Sequence, residues 1–445
     1  MARQRRSSRA TPSCFISTPY QRVDRLTDLW IAPWADRLPL TSGSLALEWA
    51  LVLALATLAG HLVQRYTQLP KIIGYAVVGA LTGWLGFAAA AWPLAGVGLF
   101  LLELGIAIML FEAGARLPLR WFRHNPMVLV QSLAESLLTF AAAFLALRAL
   151  GLDTAVVRAL AVIAMAASPA VLMRVVSDLR ANGPVTDRAI ALATLNTLYA
   201  LTLGTAMLGT IDRGDGSLLA SVASSAAVLG VSLLFGAVLA GLLALAFRLL
   251  HPTSQDTAIV MLALIAACTV VAPPFGGSAP LATLLGGILL MQFRPRPWVW
   301  PRQMGSAASI LTILMFVLVS SMAAQADWSR GITGAALVLI GVRLLAKVVS
   351  LLLTSAGSGM ALKQAFWVGV AMVPMSSVAL LLTSQFVVAS HNIGAQVAAI
   401  ALPTILATEL LGAVLVSWAL HRSGESAHLW RRGLPPPPNA QEPRP

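Results

Sequence analysis

Long apolar runs dominate the chain and constrain its fold more than any other feature. They recur along nearly all of its 445 residues, of which 58% are hydrophobic and only 11% are charged, and the mean hydropathy is +0.82. Apolar runs of about 18 residues or more are typical of membrane-spanning α-helices, whereas a transmembrane barrel requires alternating strands. The sequence therefore predicts an all-α polytopic membrane protein.

About thirteen transmembrane helices are predicted from these runs. They lie at approximately residues 45–64, 69–87, 96–114, 127–147, 155–176, 185–209, 218–249, 256–272, 276–292, 305–325, 331–354, 363–389 and 394–420. Two polar tails flank them, an Arg- and Ser-rich N-terminal tail (1–44) and a basic, Pro-rich C-terminal tail (422–445). The transmembrane domain is predicted over 45–421.

The distribution of Lys and Arg between alternate loops predicts the orientation. Seventeen of them occupy one set of alternate loops and the C-terminal tail, and four occupy the opposite loops. Cytoplasmic loops are enriched in Lys and Arg, so the C-terminus is predicted to lie on the cytoplasmic side. The membrane is predicted to be the inner (plasma) membrane. Seven Arg in the N-terminal tail argue against an external N-terminus. Either this tail is translocated regardless of charge or the count is wrong by one span. The net charge of +13 thus reflects topology, not a nucleic-acid partner.

Two inverted repeats are predicted on either side of a linker helix (218–249). Six spans precede it (45–210) and six follow it (256–421), so similar halves would have opposite orientations, as in secondary transporters. The fifth span of each half places Pro beside Ser, in AASPAV and MVPMSSV. Proline interrupts a helix, and paired interruptions favour a binding site near the bilayer midplane. Two ordinary kinked helices are the alternative.

Two basic side chains lie deep in one apolar helix. Arg343 and Lys347 are four residues apart and share a helix face. Charges within a membrane span are costly and usually functional, although one of the two can instead reach the interface. A buried ammonium can release its proton, so Lys347 can itself carry a proton, whereas Arg343 cannot.

Five glutamates fall within the predicted spans. For Glu103, a transport role and a structural role are weighed as equal. The other four are assigned structural or interfacial roles, and Glu135 in particular is expected to lie outside the core that binds the ion. These four are Glu48, Glu112, Glu135 and Glu409.

Five stretches of this chain resemble, in order, those of monovalent cation:proton antiporters, especially the Kef-like branch. They are LPKIIGYAVVGALTG (69–83), LLELGIAIMLFEAGARLPL (101–119), LMFVLVSSMAAQADW (314–328), GVRLLAKVVS (341–350) and ELLGAVLVSWALHRSGE (409–425). The resemblance implies a sodium/proton-antiporter-like fold, a homodimer with a dimerisation domain, and a six-helix core in which two interrupted helices cross. It also implies an acidic residue that binds cation and proton alternately while the core moves like an elevator.

The chain departs from this family at the ion site. In LNTLYAL (195–201), Asn196 matches the first residue of the family's Asn-Asp pair, but Thr197 replaces the acid. The family often reads PRGE where this chain reads PMSS (374–377). In the family a Lys or Arg near position 347 pairs with the missing acid, so Lys347 is expected to lack its partner.

The predicted function is secondary active transport, the exchange of a monovalent cation (Na⁺ or K⁺) for protons. A transporter of an anion or organic solute and a non-transporting degenerate exchanger are the alternatives, because the usual acid is absent. No enzyme motif, cofactor site or metal site is predicted. The proton carrier is predicted to be Lys347 or Glu103. The predicted ion- and proton-binding residues are Asn196, Thr197, Ser168, Pro169, Lys347, Arg343, Glu103, Pro374, Ser376 and Ser377.

Overall fold

The computed structural model describes residues 44–86, 96–117, 119–211, 218–251, 254–293, 302–326, 328–375 and 377–426. By internal contacts the chain divides between Ala50 and Leu51, and the packing described below lies within the second unit. Both predicted tails fall almost entirely outside the described residues, and so does Ser376.

The described residues are predominantly helical. They form sixteen α-helices and a short 3-10 helix at Pro273–Phe275. The α-helices are α1 (Ser44–Thr67), α2 (Lys71–Leu85), α3 (Gly96–Ala115), α4 (Leu119–His124), α5 (Met127–Ala149), α6 (Thr154–Met165), α7 (Pro169–Leu179), α8 (Pro184–Ile211), α9 (Leu218–Leu249), α10 (Gln255–Val271), α11 (Ala279–Phe293), α12 (Arg302–Ala324), α13 (Arg330–Leu353), α14 (Leu362–Ala371), α15 (Ser377–Ala389) and α16 (His391–Arg422).

Nine helical segments within the described ranges are long and apolar enough to cross a membrane, and four shorter apolar helices accompany them. The prediction of an all-helical, multi-pass membrane protein is therefore confirmed. The count of thirteen spans and the two inverted repeats stay predictions.

Two of the predicted spans are interrupted at the Pro-Ser positions. The first breaks between α6 and α7, where the Ser168 hydroxyl accepts a hydrogen bond from the Val171 N–H at 3.2 Å and Pro169 opens α7. These are favoured residues for a helix start, because the N-terminal N–H groups need external acceptors and proline lacks one. The second break, between α14 and α15, contains Pro374. The breaks touch directly, since the Ser168 N–H donates to the Pro374 carbonyl at 2.9 Å. A crossing of the two helices stays a prediction.

Small residues allow close helix packing away from the breaks. A Cβ atom at Gly114 of α3 would collide with the Leu284 carbonyl of α11, and one at Gly287 of α11 would collide with the Phe111 carbonyl of α3. Such small-residue contacts are typical of helix pairs in membranes, where association depends on close approach. These two helices join α9 and α10 around one apolar cluster.

A second set of contacts brings three helices to the first break. Helix α5 packs on α6 and α13, and α8 packs on α5, α6 and α7. Helix α16 packs on both halves of the second interrupted helix and also on α12 and α2. Side chains from α5, α8 and α13 can therefore meet beside the place where α6 ends.

The start of α8 is capped from the far end of the chain. Both carboxylate oxygens of Glu425 accept backbone hydrogen bonds, from Val185 N and Thr186 N, each at 2.8 Å, and the Thr186 hydroxyl donates to the same carboxylate at 2.7 Å. Gly183 is needed beside it, because a Cβ there would collide with the Glu425 side chain. An anion at a helix N-terminus is stabilising, since it satisfies free N–H groups and complements the helix dipole.

We expect Glu425→Ala to lower the free energy of unfolding by about 1–2 kcal/mol, the usual cost of losing a helix cap. Glu425→Gln should cost less, because one oxygen still accepts. Thermal unfolding of the purified protein measures both. Asp153→Ala is the matched control, since Asp153 caps α6 locally through Ala155 N at 3.0 Å. An unchanged melting temperature for Glu425→Ala, with a lowered one for Asp153→Ala, would contradict a long-range cap.

Candidate functional site

A polar stripe runs along one face of α5. Ser132, Glu135, Ser136 and Thr139 are all fully buried, at 0% exposure. Their spacing of three and four residues places them on one side of the helix, in an otherwise apolar segment. Because polar groups inside a membrane protein are costly unless they are paired, such a stripe must face partners on neighbouring helices.

The partners come from α13 and α8. Lys347 of α13 donates to one carboxylate oxygen of Glu135 at 2.6 Å, forming an ion pair in which both side chains are fully buried. Asn196 of α8 donates its amide N–H to the other oxygen. Thr139 adds a hydroxyl bond to the Glu135 carboxylate at 3.0 Å. Glu135 is thus fully engaged by an ammonium, an amide and a hydroxyl, and the expectation that Lys347 lacks an acidic partner was wrong.

Asn196 is held in one orientation by the same stripe. Its amide oxygen accepts hydrogen bonds from the hydroxyls of Ser132, at 3.2 Å, and Ser136, at 2.9 Å. With the oxygen fixed in this way, the amide nitrogen must point at Glu135. The Asn196 amide of LNTLYAL is therefore a bridge between the α5 stripe and the ion pair. We name Glu135, Lys347 and Asn196, with the hydroxyls of Ser132, Ser136 and Thr139, the ion-pair cluster.

Thr197 turns towards the first break instead. Its hydroxyl lies 2.8 Å from the Ala167 carbonyl and 2.9 Å from the Ala193 carbonyl, and it donates to one of them at a time. The Lys347 ammonium lies 3.5 Å from the Met165 carbonyl at the end of α6. The family's acid position and the ion-pair cluster therefore approach the same short non-helical segment.

Arg343 joins the two breaks. Its guanidinium donates to four backbone carbonyls, at Ala164 (2.8 Å), Ala166, Val373 and Pro374 (3.4 Å). The last carbonyls of a helix have no partner within it and carry partial negative charge, so a cation there is favourable. Arg343 therefore binds the end of α6 and the non-helical segment that follows α14 at the same time. Its bonds fix the breaks rather than leave it free for a transported ion.

A very small cavity lies beside the breaks. It measures about 10 Å³ and is lined by residues 166–170, Ser377–Ala379 and three side chains of α3. This is about the space of one water-sized sphere. Ser168 is mostly committed to capping α7, and Pro169 and Ser377 each open a half-helix that starts here. Helix N-termini supply partial positive charge, so the breaks present N-terminal and C-terminal helix ends in the same region.

A larger cavity of about 600 Å³ lies at the start of α8. Its lining includes the apolar residues Ile190 and Ala191 and three charged residues, Arg116, Asp187 and Arg188. Asn196 lies five residues further along α8, roughly 7–8 Å deeper by the helical rise. The loop charges predict this side to be cytoplasmic.

Glu103 and Glu112 are not part of the ion-pair cluster. Glu103 is half-buried on α3 and makes none of the cluster's hydrogen bonds. Glu112 pairs with Arg116 at 2.6 Å, near the mouth of the larger cavity. Among the described residues, no group of three or more His, Cys, Asp or Glu could hold a metal ion.

Sequence reasoning missed Glu135 as part of the site. Its neighbours in the cluster come from segments 61 and 212 residues away in sequence, so no local pattern links them. A signal was nevertheless present, because four polar residues at helical spacing in an apolar span indicate a buried polar face. The stripe therefore predicts that α5 contributes polar side chains to a buried site.

Buried ionisable side chains beside two interrupted helices are the architecture of a secondary transporter. The family model described as "Sodium/hydrogen exchanger, transmembrane" matches residues 50–422, and the chain therefore belongs to this family of cation:proton antiporters. Its members are transporters and not enzymes. The resemblance inferred from the sequence motifs is confirmed.

Solved structures share the fold. The sodium proton antiporter MjNhaP1 from Methanocaldococcus jannaschii at pH 8 superposes with a TM-score of 0.67 at 16% identity, covering 85% of this chain and 98% of that one. An electron-microscopy structure of the same antiporter gives a TM-score of 0.66 at 18% identity, covering 87% and 98%. No protein of curated function matches the chain in sequence. At these identities the likeness concerns the fold alone.

Proposed function

We propose that this protein exchanges a monovalent cation, Na⁺ or K⁺, for protons, that the Glu135 carboxylate binds the cation, and that the Lys347 ammonium releases and regains the proton. The family supports cation:proton antiport in general. The single observation that carries the assignment to Glu135 is its buried ion pair with Lys347, bridged to Asn196 beside the first break. The carboxylate missing at Thr197 is replaced by one from the neighbouring helix.

Because Glu135 and Lys347 are buried together, cation binding and proton release are coupled. Glu135 and Lys347 have opposite formal charges, and both are at 0% exposure. A cation that binds the Glu135 carboxylate would leave an uncompensated positive charge in a low-dielectric site, at a high cost. Loss of one proton from the Lys347 ammonium removes that charge, and return of the proton expels the cation. Exchange of one cation for one proton keeps the cluster neutral.

Oxygen ligands for a dehydrated cation are at hand around Glu135. The Ser132, Ser136 and Thr139 hydroxyls and the amide oxygen of Asn196 already converge there. Hard oxygen donors of this kind suit Na⁺ and K⁺ because they replace the hydration shell. We place the entry of the ion at the larger cavity at the start of α8, whose lining along this helix ends at Ala191, five residues before Asn196.

Transport of an anion or an organic acid is the second candidate. It rests on the positive charges of Arg343 and Lys347; the Glu135 carboxylate lies 2.6 Å from the Lys347 ammonium, whereas Arg343 donates to backbone carbonyls. We further propose a homodimer in the inner (plasma) membrane, with repeats at 45–210 and 256–421 joined by the helix at 218–249, and the C-terminus in the cytoplasm.

The test is proton flux in liposomes that contain the purified protein and a pH-sensitive dye. After a pH gradient is set, the chloride salts of Na⁺, K⁺, Li⁺ and choline are added separately. We expect Na⁺ or K⁺ to dissipate the gradient, and choline, which cannot enter an oxygen-lined site, to leave it intact.

Protein-free liposomes control for leakage, and protease accessibility of the reconstituted chain controls for insertion. A correctly inserted protein that responds to no alkali cation would overturn the proposal. That outcome would favour the degenerate exchanger, which transports nothing.

A further inference from the structure

A second carboxyl group lies fully buried on α16, remote in sequence from Glu135. Glu409 has 0% exposure. One of its oxygens accepts a hydrogen bond from the Ser320 hydroxyl of α12 at 3.0 Å, and the other has no hydrogen-bond partner among the described residues. None of the ion pairs found in the described part of the chain includes it.

Among the side chains that the structure describes, no cation is placed to neutralise Glu409. The helices packed against α16 are α2, α6, α7, α12, α13, α14 and α15. The described charged side chains of these helices are bonded elsewhere or are at least partly exposed. Arg343 donates to backbone carbonyls at the breaks, and Lys347 pairs with Glu135. Arg174 lies near Asp178 and Tyr75, and Asp178 also accepts a hydrogen bond from the Lys71 N–H at the start of α2. The remaining described charges on these helices are exposed, at Arg158, Arg330 and Lys363.

An ionised carboxylate in this position would be poorly stabilised. Burying a charge without a counterion is far more costly than burying a neutral acid, and a single hydroxyl bond recovers little of that cost. A neutral carboxyl group needs only ordinary hydrogen bonding, and Ser320 can act as donor or as acceptor. The surroundings therefore suit the protonated form.

We propose that Glu409 is a second proton-binding site, distinct from the ion-pair cluster, with its proton held between α16 and α12. The site does not rest on the proposed exchange; only its effect on transport would.

Glu409 lies on the part of α16 that packs against the second break. One residue earlier, the Thr408 hydroxyl lies 3.4 Å from the Met375 carbonyl, and three residues later a Cβ at Gly412 would come within 2.9 Å of Pro374 Cα. Release of the proton would place a charge at the contact between α16 and α12, which favours separation of these helices and entry of water. The same turn of α16 would then move relative to the break.

Infrared difference spectroscopy of the purified protein in lipid at neutral pH tests the site without any transport. Subtracting the Glu409→Gln spectrum from that of the wild type should reveal one carbonyl band of a protonated carboxylic acid. In a matched Ser320→Ala sample that band should persist and shift to higher frequency, because the acid loses a hydrogen bond.

Bands of an ionised carboxylate in the Glu409→Gln difference would overturn the proposal, as would an unshifted acid band in Ser320→Ala. Glu135→Gln is the control and should leave the Glu409 band in place. If Glu409→Gln fails to fold, the Ser320→Ala shift still decides the question. A silent transport assay alongside a clear acid band would count against the proposed exchange and not against this site.

Discussion

Replacing Glu135 with glutamine should abolish cation-driven proton flux in a protein that still folds, with a lowered melting temperature because the buried Lys347 ammonium loses its counterion. Glutamine has nearly the same shape and can keep hydrogen bonds to Asn196 and Thr139, but it carries no charge with which to bind a cation. Flux through liposomes should fall to the level of protein-free vesicles. The melting temperature and the gel-filtration profile report on the fold.

A charge-relocation variant makes this prediction specific. Thr197 lies beside the same break as Lys347, as their contacts with Ala167 and Met165 indicate. Thr197→Asp in the Glu135→Gln background should therefore restore part of the flux, since it returns a carboxylate to the family's usual position. Thr197→Asn in that background is the matched control and should restore none. Wild-type flux in Glu135→Gln alone would show that the coupling group is elsewhere.

Replacing Lys347 with methionine should be strongly destabilising. Methionine removes the ammonium and leaves the Glu135 carboxylate buried without its counterion, a change that typically costs about 3–5 kcal/mol. The double variant Glu135→Gln/Lys347→Met removes both charges and should recover most of that loss, because a neutral pair needs no counterion. Denaturant unfolding of the four proteins gives the coupling energy.

An exposed ion pair in the same chain is the control for this cycle. Glu112 and Arg116 also approach to 2.6 Å, but their side chains are 20% and 52% exposed. Their coupling should be below about 1 kcal/mol, because water screens exposed pairs. A coupling between Glu135 and Lys347 as small as that would mean that the buried pair is not ionised.

The sequence predicted the features that depend on local patterns. Apolar runs set the helices, and the linker helix begins and ends at the predicted residues, 218 and 249. The Pro-Ser pairs predicted the two interruptions, because proline removes a backbone donor and clashes with the preceding turn. The depth of Arg343 and Lys347 in an apolar helix indicated buried charges, and both are fully buried.

Partner assignments could not be predicted in the same way. The position where the family usually has an acid is Thr197 in this chain, so the sequence predicted no acidic partner for Lys347. The carboxylate is instead on α5, which reaches Lys347 only because α5 packs on α13. For Arg343 the partners are backbone carbonyls, which have no sequence signature at all.

By itself, the sequence determined that this chain is a multi-pass helical membrane protein of the antiporter family, with interruptions at Pro169 and Pro374 and buried basic groups nearby. Only the tertiary structure decided which acid neutralises Lys347 and what Arg343 holds. The physical reason is that hydrophobic length and helix-breaking residues act locally along the chain. A buried charge, in contrast, is stabilised by whichever group lies within a few ångströms, and here that group is 212 residues away.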